Sequence, residues 1–253
     1  MRYQDPFEHS AKIYDLTSRY VPYDMWANFI FDITERHSKL KNQIVVELSA
    51  GTGSFRSYFH LPKVKHYFCS DISLNMLKGA KLKFEDCEIE SNLFCQNNLN
   101  FSIKPNSADL VILLFDSINY MTEPEKLVKV LIQVSDVLKT NGLFIFDFTT
   151  PNNSVENMPE EFEENFEEIN SSFTRLSKYN PETQIHVTEF ELLDGKEKIV
   201  ESHIERPYHF HEMKEMILQV KTLKPEAFYD EFDMVAATDK SQRIHAVLRK
   251  RGK

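Results

Sequence analysis

The stretch from Val45 to Phe55, VVELSAGTGSF, constrains the fold of this chain more than any other. A continuous apolar run before a glycine turn reads as a strand buried on both faces, as central strands of parallel sheets are. Gly51 and Gly53 allow a tight turn into a helix and a close approach of backbone to a ligand. Eighteen residues past Gly53, a second apolar run ends at Asp71. Strand, glycine turn, helix and a second strand closed by an acid make up the adenosine-binding half of a doubly wound α/β fold, in which the acid accepts hydrogen bonds from ribose hydroxyls. The order Glu47, Ser49, Gly51, Gly53 differs from the G-x-G-x-x-G of pyrophosphate binders, which argues against nicotinamide-dependent oxidoreduction.

The rest of the chain extends that pattern. Residues 5–40 read as mostly helical, with Trp26, Phe29, Ile30 and Ile33 on one helical face. Strands are predicted at 44–48, 66–70, 92–95, 109–115 and 143–148. Ser73 is placed to cap a helix from 74 to about 84. Thr122 and Glu125 have capping-box spacing around Pro124. They open a helix whose buried stripe is Leu127, Val130, Leu131, Val134 and Leu138, and Asn141-Gly142 is its natural stop. The alternation implies a parallel sheet with right-handed crossovers, lacking a full helix between its third and fourth strands. Residues 151–166 then read as a polar, acidic connection. Three strands at 173–179, 184–192 and 198–208, with Asp194-Gly195 as a hairpin signal, must pair antiparallel and so form a separate small sheet. A helix at 210–221 and two strands at 226–234 and 243–250 close the chain.

Composition sets outer limits. The 253 residues carry 42% hydrophobic residues, enough for one large α/β domain with an insertion. No run of eighteen apolar residues predicts a membrane span, and the N-terminus lacks the apolar core of a signal peptide. Cys69, Cys87 and Cys95 show no metal spacing and read as free thiols in a reducing cytoplasm. His209 and His211 lack a matching third ligand, so no metal is predicted. A net charge of −9 and the acidic run EEFEENFEE argue against a nucleic-acid partner, which a basic stripe would serve.

The variant glycine turn resembles motif I of class I S-adenosylmethionine-dependent methyltransferases, with Ser49 where a glycine is usual. Further matches follow in order along nearly the whole chain. CQNNLN places Asn98 where the family often has an acid against adenine. LFDSINYM resembles a group of small bacterial methyltransferases in which a D-S-x-N-Y string faces the cofactor and substrate cleft. YDLTSRYVPYDMW resembles that group's N-terminal cap and would set Tyr14, Tyr20, Tyr23 or Trp26 over the methionine part of the cofactor. Glu201, His203, Arg206 and Tyr208 match its E-x-H-x-x-R-x-Y strand.

The resemblance implies a Rossmann-like, mostly parallel seven-stranded sheet with an inserted antiparallel sheet. It divides the chain into a helical cap (1–40), a core (41–150 and 210–253) and a β lid (151–209). S-adenosylmethionine would contact Tyr14, Tyr23, Glu47, Ser49, Ala50, Gly51, Gly53, Asp71, Ile72, Asn98, Leu99 and Phe115. A small-molecule substrate would meet Ser117, Asn119, Glu201, Arg206 and Tyr208. Asp116, Tyr120 and His203 are the candidate catalytic residues. By two-residue alternation Glu201, His203 and Glu205 share one strand face, which makes His203 a candidate general base if that face looks into the cleft. The expected reaction is in-line methyl transfer to a nitrogen, oxygen or carboxylate acceptor, by a cytoplasmic monomer or homodimer. RNA or DNA methylation is the alternative, although FDSINY lacks the prolines of the amine-methylating N/D-P-P-Y/F string. A methyltransferase-like module without catalysis is the other.

Overall fold

Buried on both faces, β1 (Gln43–Leu48) sits inside a seven-stranded sheet, as its unbroken apolar run requires. The computed structural model describes residues 7–38, 43–62, 64–156, 160–166, 171–194 and 197–252. Ahead of β1 lie a 3-10 turn (Ser10–Lys12), the short α1 (Tyr14–Thr17) and α2 (Tyr23–His37). After it come α3 (Ser54–Tyr58), β2 (Val64–Asp71), α4 (Leu74–Asp86), β3 (Asn92–Cys95) and β4 (Ala108–Leu113). A 3-10 turn (Ser117–Tyr120), α5 (Pro124–Val137), β5 (Leu138–Thr149) and α6 (Pro151–Glu156) follow. Then come β6 (Glu160–Phe166), β7 (Ser171–Asn180), β8 (Ile185–Asp194), β9 (Glu197–Glu205), α7 (Phe210–Gln219), β10 (Leu223–Asp230) and β11 (Arg243–Lys250).

The large sheet has the order β10-β11-β5-β4-β1-β2-β3, with β5, β4, β1, β2 and β3 parallel and β11 running antiparallel to both of its neighbours, β5 and β10. From β1 the chain winds outward through β2 and β3, then crosses back to β4 on the other side. That reversal opens a crevice at the carboxyl ends of β1 and β4, where such folds bind ligands. Alternate strand residues feed two cores. Val46, Leu48, Val111, Leu113, Phe144 and Phe146 pack against α5 and α7; Val45, Leu110, Ile112, Leu143 and Ile145 pack against α2, α3 and α4. Each fully buried side chain of this size contributes roughly 1.5–3 kcal/mol, which makes the sheet a rigid base for the loops at its end.

Several local expectations change. Residues 151–166 are not a plain connection: they hold α6 and β6, so the small antiparallel sheet has four strands, β6-β7-β8-β9. Glutamate is a poor strand former, and an acidic run at a sheet edge carries no apolar alternation to reveal pairing made by backbone alone. Ser73 caps α4, its Oγ accepting the Met76 N–H at 3.1 Å. Thr122 does not cap α5; Glu123 occupies the cap position without a side-chain bond, and Pro124 opens the helix. That helix stops at Val137, and Leu138 begins β5. Asn141 takes a left-handed φ of 67° where the β4–β5 register shifts, absorbing residues that the sequence assigns to the helix end. β10 starts at Leu223 and ends at Asp230, ahead of the 226–234 expectation. No helix among the described residues is long and apolar enough to cross a membrane.

Candidate functional site

The glycine turn after β1 is held by its own backbone and by Asp71. Ala50 donates to the Ser70 carbonyl at 2.9 Å and Gly53 to the Ala50 carbonyl at 2.9 Å. Asp71 accepts the Gly51 N–H on Oδ2 and the Ser73 N–H on Oδ1, both at 2.8 Å. Ser49 adopts φ 51°, the left-handed region in which glycine is least strained. Its Oγ accepts a bond from the Asn98 amide at 2.9 Å. Gly51 and Gly53 also have positive φ, but their surroundings differ. A Cβ on Gly51 would stand in open space, whereas one on Gly53 would lie 2.5 Å from the Phe84 ring. Gly53 therefore seats α4 against the turn and does not line the cavity, contrary to its expected contact with a cofactor.

A cavity of about 680 Å³ opens above this turn. Tyr14, Tyr23, Glu47, Ser49, Ala50, Gly51, Asp71, Ile72, Asn98, Leu99 and Phe115 all line it. Asp15 fastens the N-terminal segment to the turn and to α4, its Oδ1 accepting from Thr52 Oγ1 at 2.6 Å and from Lys83 Nζ at 2.8 Å. Tyr20 is 72% exposed and faces away, and Trp26 is buried between Phe115, Phe232 and His245. Burial raises the Tyr14 and Tyr23 hydroxyls, keeping both neutral. Burial also pushes Glu47 up to about 7; the Tyr67 hydroxyl at 2.6 Å works against that rise.

The opposite wall is built from one face of the small sheet. Register pairs Ser177 with Thr188 and His203, and His186 with Glu205; by alternation these side chains point the same way, and all line the cavity with Arg175 and Phe190. At the end of β4, Phe115 (φ 57°) and Asp116 (φ 48°) are consecutive left-handed residues. This costly turn is held by the Asp116 N–H donating to Asp147 Oδ2 at 3.0 Å. Arg243 forms ion pairs with both Asp147 and Asp116. Burial raises both carboxyls, and Arg243 opposes that rise. Tyr120 Oη lies 2.8 Å from His203 Nδ1. Burial lowers the His203 pKa, so the imidazole is neutral near pH 7, and it pushes Glu205 up to about 8 with help from Asp116.

Asp116, Ser117, Tyr120 and His203 line the cavity, whereas Asn119, Glu201, Arg206 and Tyr208 do not. Asn119 is buried and donates its amide to the Thr149 and Arg206 carbonyls. Glu201 accepts the His9 and Ser10 N–H groups, fastening the N-terminal turn to β9. Arg206 bonds Gln184 and Glu212, and the buried Tyr208 hydroxyl donates to the Met121 carbonyl. β9 ends at Glu205, so the alternation argument stops before Arg206 and Tyr208. Sequence reading missed Arg243, Arg175 and His186, which lie far along the chain from any motif; the shared face with His203 was the signal for Glu205. His209 caps α7 together with Glu212.

Residues 45–142 match a family model described as a methyltransferase domain. A protein of Geobacillus sp. (strain WCH70) with the provisional name of a methyltransferase is 26% identical, the match covering 96% of this chain and 99% of the relative. A similarly named protein of Bacillus subtilis (strain 168) is 25% identical over 83% of this chain and 84% of its own length. Among solved structures, an S-adenosylmethionine-dependent methyltransferase from Clostridium acetobutylicum ATCC 824 superposes with a TM-score of 0.81 at 24% identity, covering 98% of this chain and 100% of that one. DesVI of Streptomyces venezuelae superposes with a TM-score of 0.73 at 16% identity, covering 99% and 100%. The matched domain, the relatives and the shared fold indicate a methyltransferase enzyme with a Rossmann-like core.

Proposed function

We propose that this methyltransferase binds S-adenosylmethionine at the glycine-turn end of the cavity and methylates a nitrogen, oxygen or carboxylate of a small molecule held beneath the small sheet. The observation that carries the reading is one cavity with both ends furnished: Asp71, Gly51 and Asn98 on one side, His203, Tyr120 and Asp116 on the other. The donor fits the residues present. Two backbone N–H bonds hold the Asp71 carboxylate at the wall, where it can accept from ribose hydroxyls. Gly51 leaves open space at the turn, and Asn98 offers an amide to an adenine edge. Tyr14, Tyr23 and Phe115 present aromatic surface suited to a sulfonium cation.

When bound, S-adenosylmethionine supplies a methyl group already activated by the positive charge on sulfur. The chain's task is alignment of nucleophile, methyl carbon and sulfur, which can supply ~7–11 kcal/mol of the barrier. The strained Phe115–Asp116 turn, locked by Asp147 and Arg243, fixes the floor between the two ends. Residues 151–209 act as a lid: their inward face closes the acceptor end, and Glu201 ties them to the N-terminal cap. His203, neutral and oriented by Tyr120, positions the acceptor.

A labelled-methyl donor incubated with enzyme and either a small-molecule extract or total RNA tests this. Label is expected in the small-molecule fraction. Label in RNA alone contradicts the acceptor class. His203→Ala is expected to lower turnover with little change in donor affinity; an equal loss of both would remove its substrate-side role.

A further inference from the structure

Among the described residues, three aromatic rings stand against the His203 imidazole: Tyr120, Phe190 and Phe7, with centroids 6.0, 5.0 and 4.7 Å away. Tyr120 Oη lies at Nδ1, so that nitrogen is taken. Whichever of the two groups carries the proton they share, Nε2 is buried and has no hydrogen-bond partner among the described residues. A buried polar atom left unmatched is costly, and native proteins keep few of them. Nε2 is also the one nitrogen through which His203 can hold an acceptor. Its cover must therefore yield when the acceptor binds.

The three rings differ in how freely they can move. Tyr120 is held at Nδ1, and its turn is tied down by the Asn119 amide on the Thr149 and Arg206 carbonyls. Phe190 lies within β8, paired on one side with Arg175 and on the other with Glu201, and its ring stacks on Phe173 at 5.7 Å. Phe7 precedes the first 3-10 turn, outside any helix or strand, and is only half-buried. The main chain around it is fixed. The Phe7 carbonyl accepts from the Ala11 N–H at 3.4 Å, the Glu8 carbonyl accepts from the Asn75 amide at 3.1 Å, and the His9 and Ser10 N–H groups donate to Glu201. These ties hold the backbone between α4 and β9 and leave the Phe7 side chain to move. From there the ring reaches into the cavity, 6.4 Å from Tyr120 and edge-on to Tyr14 at 6.1 Å.

We propose that Phe7 selects the methyl acceptor by size: its ring turns off the His203 imidazole to let the acceptor reach Nε2, then packs over the bound molecule; this rests on the methyl-transfer reading above. The movement is a rotation about side-chain bonds between staggered positions, and the segment that carries Phe7 stays docked. With the main chain pinned, the size of the ring sets the room beneath it. An acceptor one methylene too large for that room loses roughly 10–200-fold in the selection. Phe7 thus acts on which acceptor is admitted, while Asp71, Gly51 and Asn98 hold the donor at the other end of the cavity.

The first test uses the full chain and diethyl pyrocarbonate, which acylates unprotonated imidazole nitrogens, with each histidine followed by peptide mass spectrometry. Phe7→Ala should speed acylation of His203 at least tenfold over wild type, and Phe7→Trp should leave it at or below the wild-type rate. His186, on β8 in the same cavity, is the internal reference and should stay within twofold. Equal His203 rates in wild type and Phe7→Ala, or a matching rise at His186 as the whole segment lifts, overturns the side-chain role. Labelled-methyl S-adenosylmethionine and a small-molecule extract of the source cells then identify the acceptor, and homologues longer by one and two methylenes are compared with it. Phe7→Ala should gain at least tenfold in relative kcat/KM for the longer homologues. Phe7→Trp should lose at least tenfold on the natural acceptor through KM, and donor affinity by calorimetry should stay within threefold in both variants. An unchanged order of preference among the homologues, or donor affinity that falls with activity, overturns the selection. Failure of the wild type to bind the donor, or to label any small molecule, would instead sink the methyl-transfer reading, while the acylation rates still decide whether Phe7 covers His203.

Discussion

Gly51 and Gly53 sit two residues apart in one turn, both in the left-handed region, yet alanine at each should fail differently. The backbone cost is shared: a non-glycine residue there loses about 1–2 kcal/mol. At Gly51 (φ 55°) the new methyl meets no atom, so the stability loss stops at that figure. At Gly53 (φ 74°) it would lie 2.5 Å from the Phe84 ring and 3.3 Å from Ala80, in the buried contact between turn and α4. Overpacking of this kind adds about 1–3 kcal/mol, for a total of about 2–5 kcal/mol. Ligand affinity should show the reverse order. The Gly51 methyl occupies the approach to the cavity, and Gly51→Ala should weaken S-adenosylmethionine binding at least tenfold, about 1.4 kcal/mol. Gly53→Ala should bind almost normally in its folded fraction. Urea denaturation and titration calorimetry on both variants give the four numbers. Equal stability losses, or a larger affinity loss at Gly53 than at Gly51, would refute the assignment of one glycine to packing and the other to the ligand.

Two further perturbations probe the buried charges. Arg243→Met leaves Asp147, which is fully buried, without its cation, and should cost about 3–5 kcal/mol in urea denaturation. Adding Asp147→Asn should recover at least half of that, and no recovery would show that the ion pair is not the cause. Glu47 is raised from 4.5 to about 7, so between those values the folded chain holds a proton that the unfolded chain has released. Stability therefore falls by ~3 kcal/mol as pH rises through that window and levels off above it. Glu47→Gln keeps an acceptor for Tyr67 and should remove this limb; a wild-type-minus-variant difference that is flat from pH 4.5 to 7 would contradict the buried neutral acid.

The glycine turn, Asp71 and the strand alternation were legible because each is a local pattern with one good physical solution. Trp26, Phe29, Ile30 and Ile33 were legible as a buried helix face for the same reason, although Trp26 packs in the core and not at the cavity. Asn119, Arg206 and Tyr208 were read as substrate contacts because polar side chains near a cleft look alike in sequence. Their hydrogen bonds to the Thr149, Arg206 and Met121 carbonyls and to Gln184 appear only when distant segments meet. Arg243 lies 127 residues from Asp116 and carries no motif of its own. β6 was illegible because its acidic residues hide a strand defined by backbone pairing.

The central claim is that this cavity holds a methyl donor through Asp71. Titration calorimetry with S-adenosylmethionine and with its demethylated product, on wild type and Asp71→Asn, tests it most directly. Both ligands should bind the wild type, and Asp71→Asn, which retains an acceptor for the turn, should bind each at least tenfold more weakly. Binding of neither ligand by folded wild-type protein, or equal affinity in the variant, would contradict it.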